Sequence, residues 1–124
     1  MRVSVWIDAG QQQCCGEPFR TGEVVSWEVN EKPGYEGLAV RMNAEYAGGV
    51  RYVQEHHGDD PDGAVTGRIS HIDVVACLRE NGTLLVGSGR PLPVAADTDV
   101  PEGLQGDELW TLEGWVVRLD LLTS

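Results

Sequence analysis

Strict alternation of apolar with polar side chains is the property that most constrains how this chain folds. The segment VSVWID carries an apolar residue at every second position, so that Val3, Val5 and Ile7 share one face. Trp6 falls on the opposite face. Because successive side chains of a strand point to opposite sides of a sheet, this period predicts β-strands. The same period recurs in EVVSWEV, HIDVVACLRE and LEGWVVRLDLL.

The alternation also assigns a face to each later strand. One face of each strand is predicted to carry the following residues: Val25, Trp27 and Val29; Ile72, Val74, Ala76 and Leu78; Trp115, Val117, Leu119 and Leu121. Val75 and Cys77 fall on the other side of their strand. The dipeptide Asn81-Gly82 predicts a hairpin with a type I′ turn, because both central residues of that turn need positive φ.

The segments between these strands are predicted to be mostly loops. Residues 9–22 are rich in Gly, Gln and Pro, and Phe19 is the apolar residue expected to anchor them. The pattern of residues 36–46 fits either a helix or a strand, and VRYVQEH should follow as a strand. GDDPDG at residues 58–63 has the composition of a turn. Residues 87–107, with three prolines, are expected to form a long surface connection.

These elements predict a mainly β fold with five to seven strands and at most one short helix. A chain of 124 residues is long enough for one hydrophobic core, so residues 1–124 are expected to form a single all-β domain. Rolling the sheet into a partly open β-barrel, SH3-like or OB-like, removes edges that would otherwise pair with other chains.

The charge balance excludes some classes of partner. The formal net charge is -11, with only nine lysines and arginines, so no nucleic acid and no anionic membrane surface is expected as a partner. No apolar run approaches the roughly 20 residues of a membrane helix, and the N-terminus lacks a signal peptide, which predicts a cytoplasmic protein. The expected partner is a protein or a small molecule, bound by a monomer or a homodimer.

The three cysteines are the residues that most suggest a metal site. An odd number of cysteines in a cytoplasmic chain argues against a disulfide framework, and a vicinal disulfide between Cys14 and Cys15 is disfavoured there. Zinc takes about four N or S ligands, and the predicted set is Cys14, Cys15, His57 and Cys77. In the alternative interpretation, Cys77 is a small buried strand residue and the histidines lie at the surface.

A thiol nucleophile is a second interpretation of the same residues. It would use Cys15 or Cys14, with His56 or His57 as the base, in a thiol-dependent or zinc-dependent enzyme. The local spacing of these residues does not require this arrangement, so no catalytic residue is assigned.

Four tryptophans in so short a chain offer a binding surface as well as a core. Trp27 and Trp115 fit the core faces of their strands. Trp6 and Trp110 are the candidates for an exposed binding surface, because interfaces favour large aromatic rings.

Several of these motifs together resemble a known family. The segments CCGEPFRTGEVVSW, EHHG, VTGRISHIDVVAC and GWVVRLD are similar to those of a small family of actinobacterial proteins of unknown function. The resemblance implies no activity, substrate or cofactor, but it does direct attention to the cysteines and histidines as a group. The sequence therefore predicts a non-enzymatic β-barrel module that binds an unknown ligand, with the metal site and the enzyme as alternatives.

Overall fold

A computed structural model describes residues 1–55, 61–101, 104 and 109–122 of the chain. These residues form, in order, the strands and helices β1 (Arg2–Asp8), α1 (Ala9–Cys15), β2 (Val24–Glu31), α2 (Glu36–Arg41), α3 (Ala44–Gly48), β3 (Tyr52–Gln54), β4 (Gly63–Glu80), β5 (Thr83–Leu84), β6 (Arg90–Val94) and β7 (Trp110–Leu121). The predicted mainly β fold is confirmed. Within the described ranges no helix is long and apolar enough to span a bilayer.

Five of the strands are paired in a closed ring. The strands follow the order β2-β3-β1-β7-β4, and β4 pairs again with β2. The pair β1–β3 is parallel and the other pairs in the ring are antiparallel. The ring-like pairing agrees with the predicted closure of the sheet, which leaves few strand edges free.

Strand β4 organises the ring because it is long enough to serve two neighbours in succession. It has 18 residues. Its first part pairs with β2, from Val29↔Gly63 to Val24↔Arg68. Its later part pairs with β6. The hairpin after β4 has the predicted turn, since Asn81 and Gly82 have φ values of 52° and 80°.

The interior of the ring holds the predicted core faces. The buried residues that pack there include Val3, Val5, Ile7, Phe19, Val29, Ile72, Val74, Ala76, Trp115, Val117 and Leu119. Phe19 is 3% exposed and meets Trp27 and Trp115 edge-on, with ring centroids 5.5 and 6.0 Å apart. The prediction that Phe19 anchors the segment before β2 is therefore confirmed.

A second apolar cluster lies on the outer face of the sheet under α2 and α3. Trp6, Leu38, Met42, Ala47, Val50, Val53, Val75, Cys77 and Val116 form it. Trp6 is only 1% exposed, so the prediction of an exposed binding surface is wrong at this residue. Alternation places Trp6 on the outer face as expected, but the two helices cover that face.

The expectation of at most one short helix is also wrong, because the described residues contain three. Helix α1 begins inside the predicted loop 9–22, where the side chain of Asp8 caps the amide groups of Gly10 and Gln11. Residues 36–46, which fitted either a helix or a strand, form α2 and the start of α3. The side chain of Asn43 caps the first turn of α3 by accepting a hydrogen bond from Tyr46 N.

Strand β6 lies inside the segment that was predicted to be a surface connection. Pro91 and Pro93 have no backbone N–H, so only the alternate residues of β6 can donate to β4. Because β6 is an edge strand, the prolines are tolerated at positions whose nitrogen atoms point away from β4. The structure thus corrects the prediction for residues 90–94. Residues 102–103 and 105–108 of the same segment lie outside the described residues.

Candidate functional site

A large cleft lies between α3 and the outer face of β1, β7 and β4. Its volume is about 890 Å³. The floor carries a row of side chains that the strand register places side by side, since Ser4 pairs with Arg118 and Arg118 pairs with His71. The wall is formed by Tyr46 of α3 and by residues 49–51.

Three polar side chains in this cleft form one hydrogen-bonded group. The phenol of Tyr46 lies 3.1 Å from Oδ2 of Asp73 and donates to it. Nε2 of His71 lies 2.7 Å from Oδ1 of the same carboxylate. His71 and Asp73 are two residues apart on β4, so they share the outer face. A register shift at Ser70 sets that face for both of them.

Tyr46 is held in its protonated form. Burial of the phenol raises its pKa above the ordinary value, and the negative charge and hydrogen bond of Asp73 raise it further. The nearby Arg118 acts in the opposite direction, but its effect is smaller. At neutral pH Tyr46 is therefore a hydrogen-bond donor that fixes Asp73, and not a nucleophile or a base.

The cleft contains a large share of the cationic side chains. Arg2, Arg51 and Arg118 line it, which is three of the nine lysines and arginines of the chain. Arg2 is paired with Asp120 at 2.9 Å and Arg51 with Glu31 at 3.3 Å, and all four side chains are about half exposed. Arg118 is exposed, and its guanidinium forms no ion pair with the described residues.

The predicted metal ligands do not form a shared site within the described part of the chain. Cys77 is fully buried in the outer cluster, where its Sγ lies 3.7 Å from the carbonyl oxygen of Arg41. Cys14 and Cys15 are exposed at the end of α1. No group of three or more His, Cys, Asp or Glu side chains there could hold a metal ion. His56 and His57 lie outside the described residues, so the zinc site stays a prediction.

The vicinal cysteines are joined to each other. The structure pairs the sulfurs of Cys14 and Cys15 as a disulfide, which is the pairing that the sequence disfavoured. Cys77 is the remaining free thiol and matches the alternative of a small buried strand residue. Burial raises the pKa of this thiol, and the charge of Glu113 raises it further, which is the opposite of what a nucleophilic cysteine needs.

Trp110, the second tryptophan predicted to form a binding surface, is half-buried. The guanidinium of Arg90 lies 4.1 Å from the centroid of its ring. That arrangement is a close cation–π contact that occupies one face of the indole. The remaining part of Trp110 stays a predicted contact surface, separate from the residues that line the large cleft.

A buried carboxylate outside the cleft joins α2 to the sheet. Glu113 of β7 is 6% exposed and accepts hydrogen bonds from Arg41 at 2.9 Å and from Arg79 at 2.7 Å. Burial tends to raise the pKa of Glu113, but the hydrogen bonds from the two arginines outweigh it and hold this pKa below the ordinary value. The three side chains connect α2 with β4 and β7.

Sequence reasoning missed the group formed by Tyr46, Asp73 and His71. His71 was not among the predicted zinc ligands. The i, i+2 spacing of His71 and Asp73 within an alternating strand was a usable signal, because it places both side chains on one face. Tyr46 carried no comparable signal, since its approach to Asp73 depends on how α3 packs against the sheet.

Comparisons with known proteins identify a family without an assigned activity. A family model described as a family of unknown function (DUF6578) matches residues 1–121. No curated protein and no solved structure matches the chain. The geometry of the cleft is therefore the main basis for assigning a function.

Proposed function

We propose that this chain, which belongs to a family of unknown function (DUF6578), is a non-enzymatic binding module. Its large cleft binds an anionic ligand. The ligand lies on the floor made by Ser4, Arg118 and His71, beside the hydroxyl of Tyr46. Carboxylate and phosphate groups are the anions that arginine recognises best, because its planar fork of N–H groups matches their oxygen atoms.

The observation that carries this proposal is the position of Arg118. Its neighbours in the sheet register are Ser4 on one side and His71 on the other, so a hydroxyl and an imidazole flank the guanidinium. Arg118 is exposed to the cleft and is not neutralised by a carboxylate of the described residues. An anion placed over β7 can contact all three side chains at once.

The cleft is rich in arginine although the chain as a whole is acidic. Three arginines and two carboxylates, Glu45 and Asp73, line the cleft, whereas the chain as a whole has a formal charge of -11. Asp73 is already engaged by Tyr46 and His71. Arg2 and Arg51 are paired with Asp120 and Glu31, so Arg118 supplies the charge that attracts an anion at short range. The acidic remainder of the surface repels anions at distances that salt screens.

The hydrogen-bonded group gives the site a defined shape. One carboxylate oxygen of Asp73 is hydrogen-bonded to Nε2 of His71, and the other accepts a hydrogen bond from the phenol of Tyr46. The two contacts fix the orientation of both rings. The other ring nitrogen of His71, Nδ1, remains for the ligand, on a side chain that is 39% exposed. When the imidazole is protonated, both of its nitrogens are donors, and an anion then gains a second charged partner beside Arg118.

The thiol enzyme proposed from the sequence has less support. Cys77 is buried and its pKa is raised. Cys14 and Cys15 are joined to each other, so neither is a free thiol. The lining of the large cleft contains no cysteine. Binding is therefore the function that the geometry supports best.

A titration with simple anions tests the proposal. Glutarate and inorganic phosphate are added separately to ¹⁵N-labelled protein at an ionic strength of about 0.15 M, where the Debye length is about 8 Å. We expect saturable amide shifts confined to the cleft, and at least a fivefold weaker affinity in Arg118→Gln. The matched control is Arg20→Gln, an exposed arginine outside the cleft. Equal affinities in the two variants would contradict the proposal.

A further inference from the structure

Although β1 belongs to the closed ring, the edge of its N-terminal part that faces β3 has no paired strand in the part of the chain that the structure describes. The carbonyl oxygen of Met1 accepts a hydrogen bond from Leu121 N at 2.8 Å, so it faces β7. The carbonyl oxygen of Ser4 accepts one from Arg51 N at 3.1 Å, so it faces the side of β3. Since successive residues of a strand direct their polar backbone groups to opposite edges, Arg2 and Ser4 direct theirs towards β3.

Strand β3 is too short to cover this edge. It has three residues and pairs with β1 only at Val5 and Trp6. The N–H and C=O of Arg2 and the N–H of Ser4 therefore have no backbone partner among the described residues. The same part of β1 lines the large cleft, together with residues 49–51.

We propose that the ligand of the cleft is an extended acidic segment of another polypeptide, which adds to this edge of β1 as a strand. The inference rests on the proposed function, because it uses the same cleft and the same arginines. A donor, an acceptor and a second donor, spread over Arg2–Ser4, are the groups that a new strand pairs with in β-augmentation. The three groups span about 7 Å, which matches two residues of an extended peptide.

Charge complementarity selects an acidic segment. The side chains of Arg2 and Ser4 lie on the outer face of the sheet, in register with Asp120 and Arg118 respectively. Alternate side chains of an added strand point to that same face, where Arg51 and Arg118 also line the cleft. Carboxylates at those alternate positions meet Arg118, which has no ion pair among the described residues, and compete with Asp120 and Glu31 for Arg2 and Arg51. Lysines there would be repelled by Arg118.

The short edge also limits the affinity. Only Arg2–Ser4 of β1 lie beyond the pairing with β3, so the backbone contributes about three hydrogen bonds, and side-chain contacts must supply the rest. We therefore expect a weak complex with a dissociation constant of about 1 mM or somewhat below for a short peptide, which corresponds to about -4 kcal/mol. This range is measurable by NMR.

The test uses the intact protein and an acetylated, amidated pentapeptide with the sequence Thr-Glu-Val-Glu-Thr. We expect amide hydrogen exchange of Arg2 and Ser4 to slow at least fivefold at saturation. The amide of Val3, which faces β7, should not change. The matched peptide Thr-Lys-Val-Lys-Thr should have no effect.

N-methylation of the peptide distinguishes strand addition from attraction between side chains. One peptide carries N-methyl groups on both glutamates and another carries one on the central valine. A strand presents alternate N–H groups to its neighbour, so one of these peptides should bind at least tenfold more weakly and the other within about twofold of the parent. The protein is unchanged in this comparison, so a folding defect cannot account for the result.

Each outcome has a separate meaning for the two proposals. If glutarate binds at Arg118 but no peptide protects Arg2 and Ser4, strand addition is overturned and the anion cleft stands. If both N-methylated peptides bind like the parent, the peptide is held by its carboxylates alone, and strand addition is again overturned. If neither glutarate nor the peptide shifts the cleft signals, both proposals fail.

Discussion

The phenol of Tyr46 donates a hydrogen bond to Oδ2 of Asp73 over 3.1 Å, and this contact links α3 to β4 across the large cleft. The two residues are 27 positions apart in the chain. A short helix thus fixes a carboxylate of the sheet, and the same carboxylate orients His71. The contact thus ties α3, which has only five residues, to the sheet at the wall of the cleft.

Replacing Tyr46 by Phe should reduce the free energy of unfolding by about 1 to 2 kcal/mol, since the hydrogen bond to an ionised group is lost and Asp73 keeps one partner fewer. Urea denaturation at pH 7 measures this change. Tyr35→Phe is the control, because the described residues give no hydrogen bond to its hydroxyl. A loss of the same size in both variants would show that the contact with Asp73 contributes nothing specific.

The raised pKa of Tyr46 predicts a pH dependence at the alkaline end. A group whose pKa is higher in the folded protein stabilises it fully below the unfolded value of about 10, and this contribution is lost as the pH rises above that value. Spectrophotometric titration should show one of the three tyrosines ionising later than the others. This late ionisation should be missing in Tyr46→Phe, and a titration unchanged by the substitution would contradict the assignment.

Glu113→Gln should lower the free energy of unfolding by about 2 to 3 kcal/mol, because two arginines lose their buried carboxylate while remaining partly hydrated. The arginine side chains are 22% and 32% exposed, which keeps the loss below that of a fully buried pair. Urea denaturation at pH 7 measures it. Glu80→Gln, at an exposed position of β4, should change the stability by less than about 0.5 kcal/mol.

The lowered pKa of Glu113 predicts how the free energy of unfolding changes at acid pH. A carboxyl whose folded pKa lies below its unfolded value of about 4.3 stabilises the protein above that value, and this stabilisation is lost as the pH falls through the folded pKa. The wild-type protein should therefore lose stability more steeply than Glu113→Gln below about pH 4.3. Parallel curves would exclude the contribution of Glu113.

Cys77 should react with thiol reagents only after the protein opens. Its side chain is fully buried, whereas Cys14 and Cys15 are exposed. After mild reduction, two thiols should react promptly in the native protein, and the third at least about 100-fold more slowly, because labelling then requires local or global unfolding. In denaturant all three should react at similar rates. Prompt reaction of three native thiols would contradict the described packing of Cys77.

Two glycines provide a matched test of the packing between β1 and β7. A Cβ atom at Gly114 would collide with the backbone oxygen of Ile7 and with the ring of Trp6. Gly114→Ala should therefore cost about 3 kcal/mol or more, since a rigid strand has to move. Gly48→Ala places its methyl group in open space on α3 and should stabilise the protein by about 0.5 to 1 kcal/mol. Thermal denaturation of both variants checks the contrast.

The sequence predicted the strands better than it predicted what covers them. Alternation correctly separated Val74 and Ala76, which face the ring interior, from Val75 and Cys77, which face the outer cluster. It also placed Trp6 on the outer face. Whether that face is wet or dry depends on where α2 and α3 pack, and this depends on contacts between distant segments. Trp6 was therefore assigned to the right side of the sheet but to the wrong environment.

The elements that were missed have local causes. Helix α1 has only seven residues and a glutamine-rich sequence, and its main signal was the capping side chain of Asp8. Strand β6 contains two prolines, which ordinarily argue against a strand and which fit only because one of its edges is free. The group around Asp73 requires both the register shift at Ser70 and the packing of α3, and neither can be derived from periodicity.

The adjacency of β1 and β7 has a consequence for the order of folding. Arg2 pairs with Asp120 across 118 positions of sequence, so the contact that closes the ring also closes the longest loop of the fold. Because the entropy of loop closure opposes such distant contacts, we expect the ladder between β1 and β7 to form late and slowly. Removing the 12 residues of β7 would take out an interior strand and expose the edges of both β1 and β4.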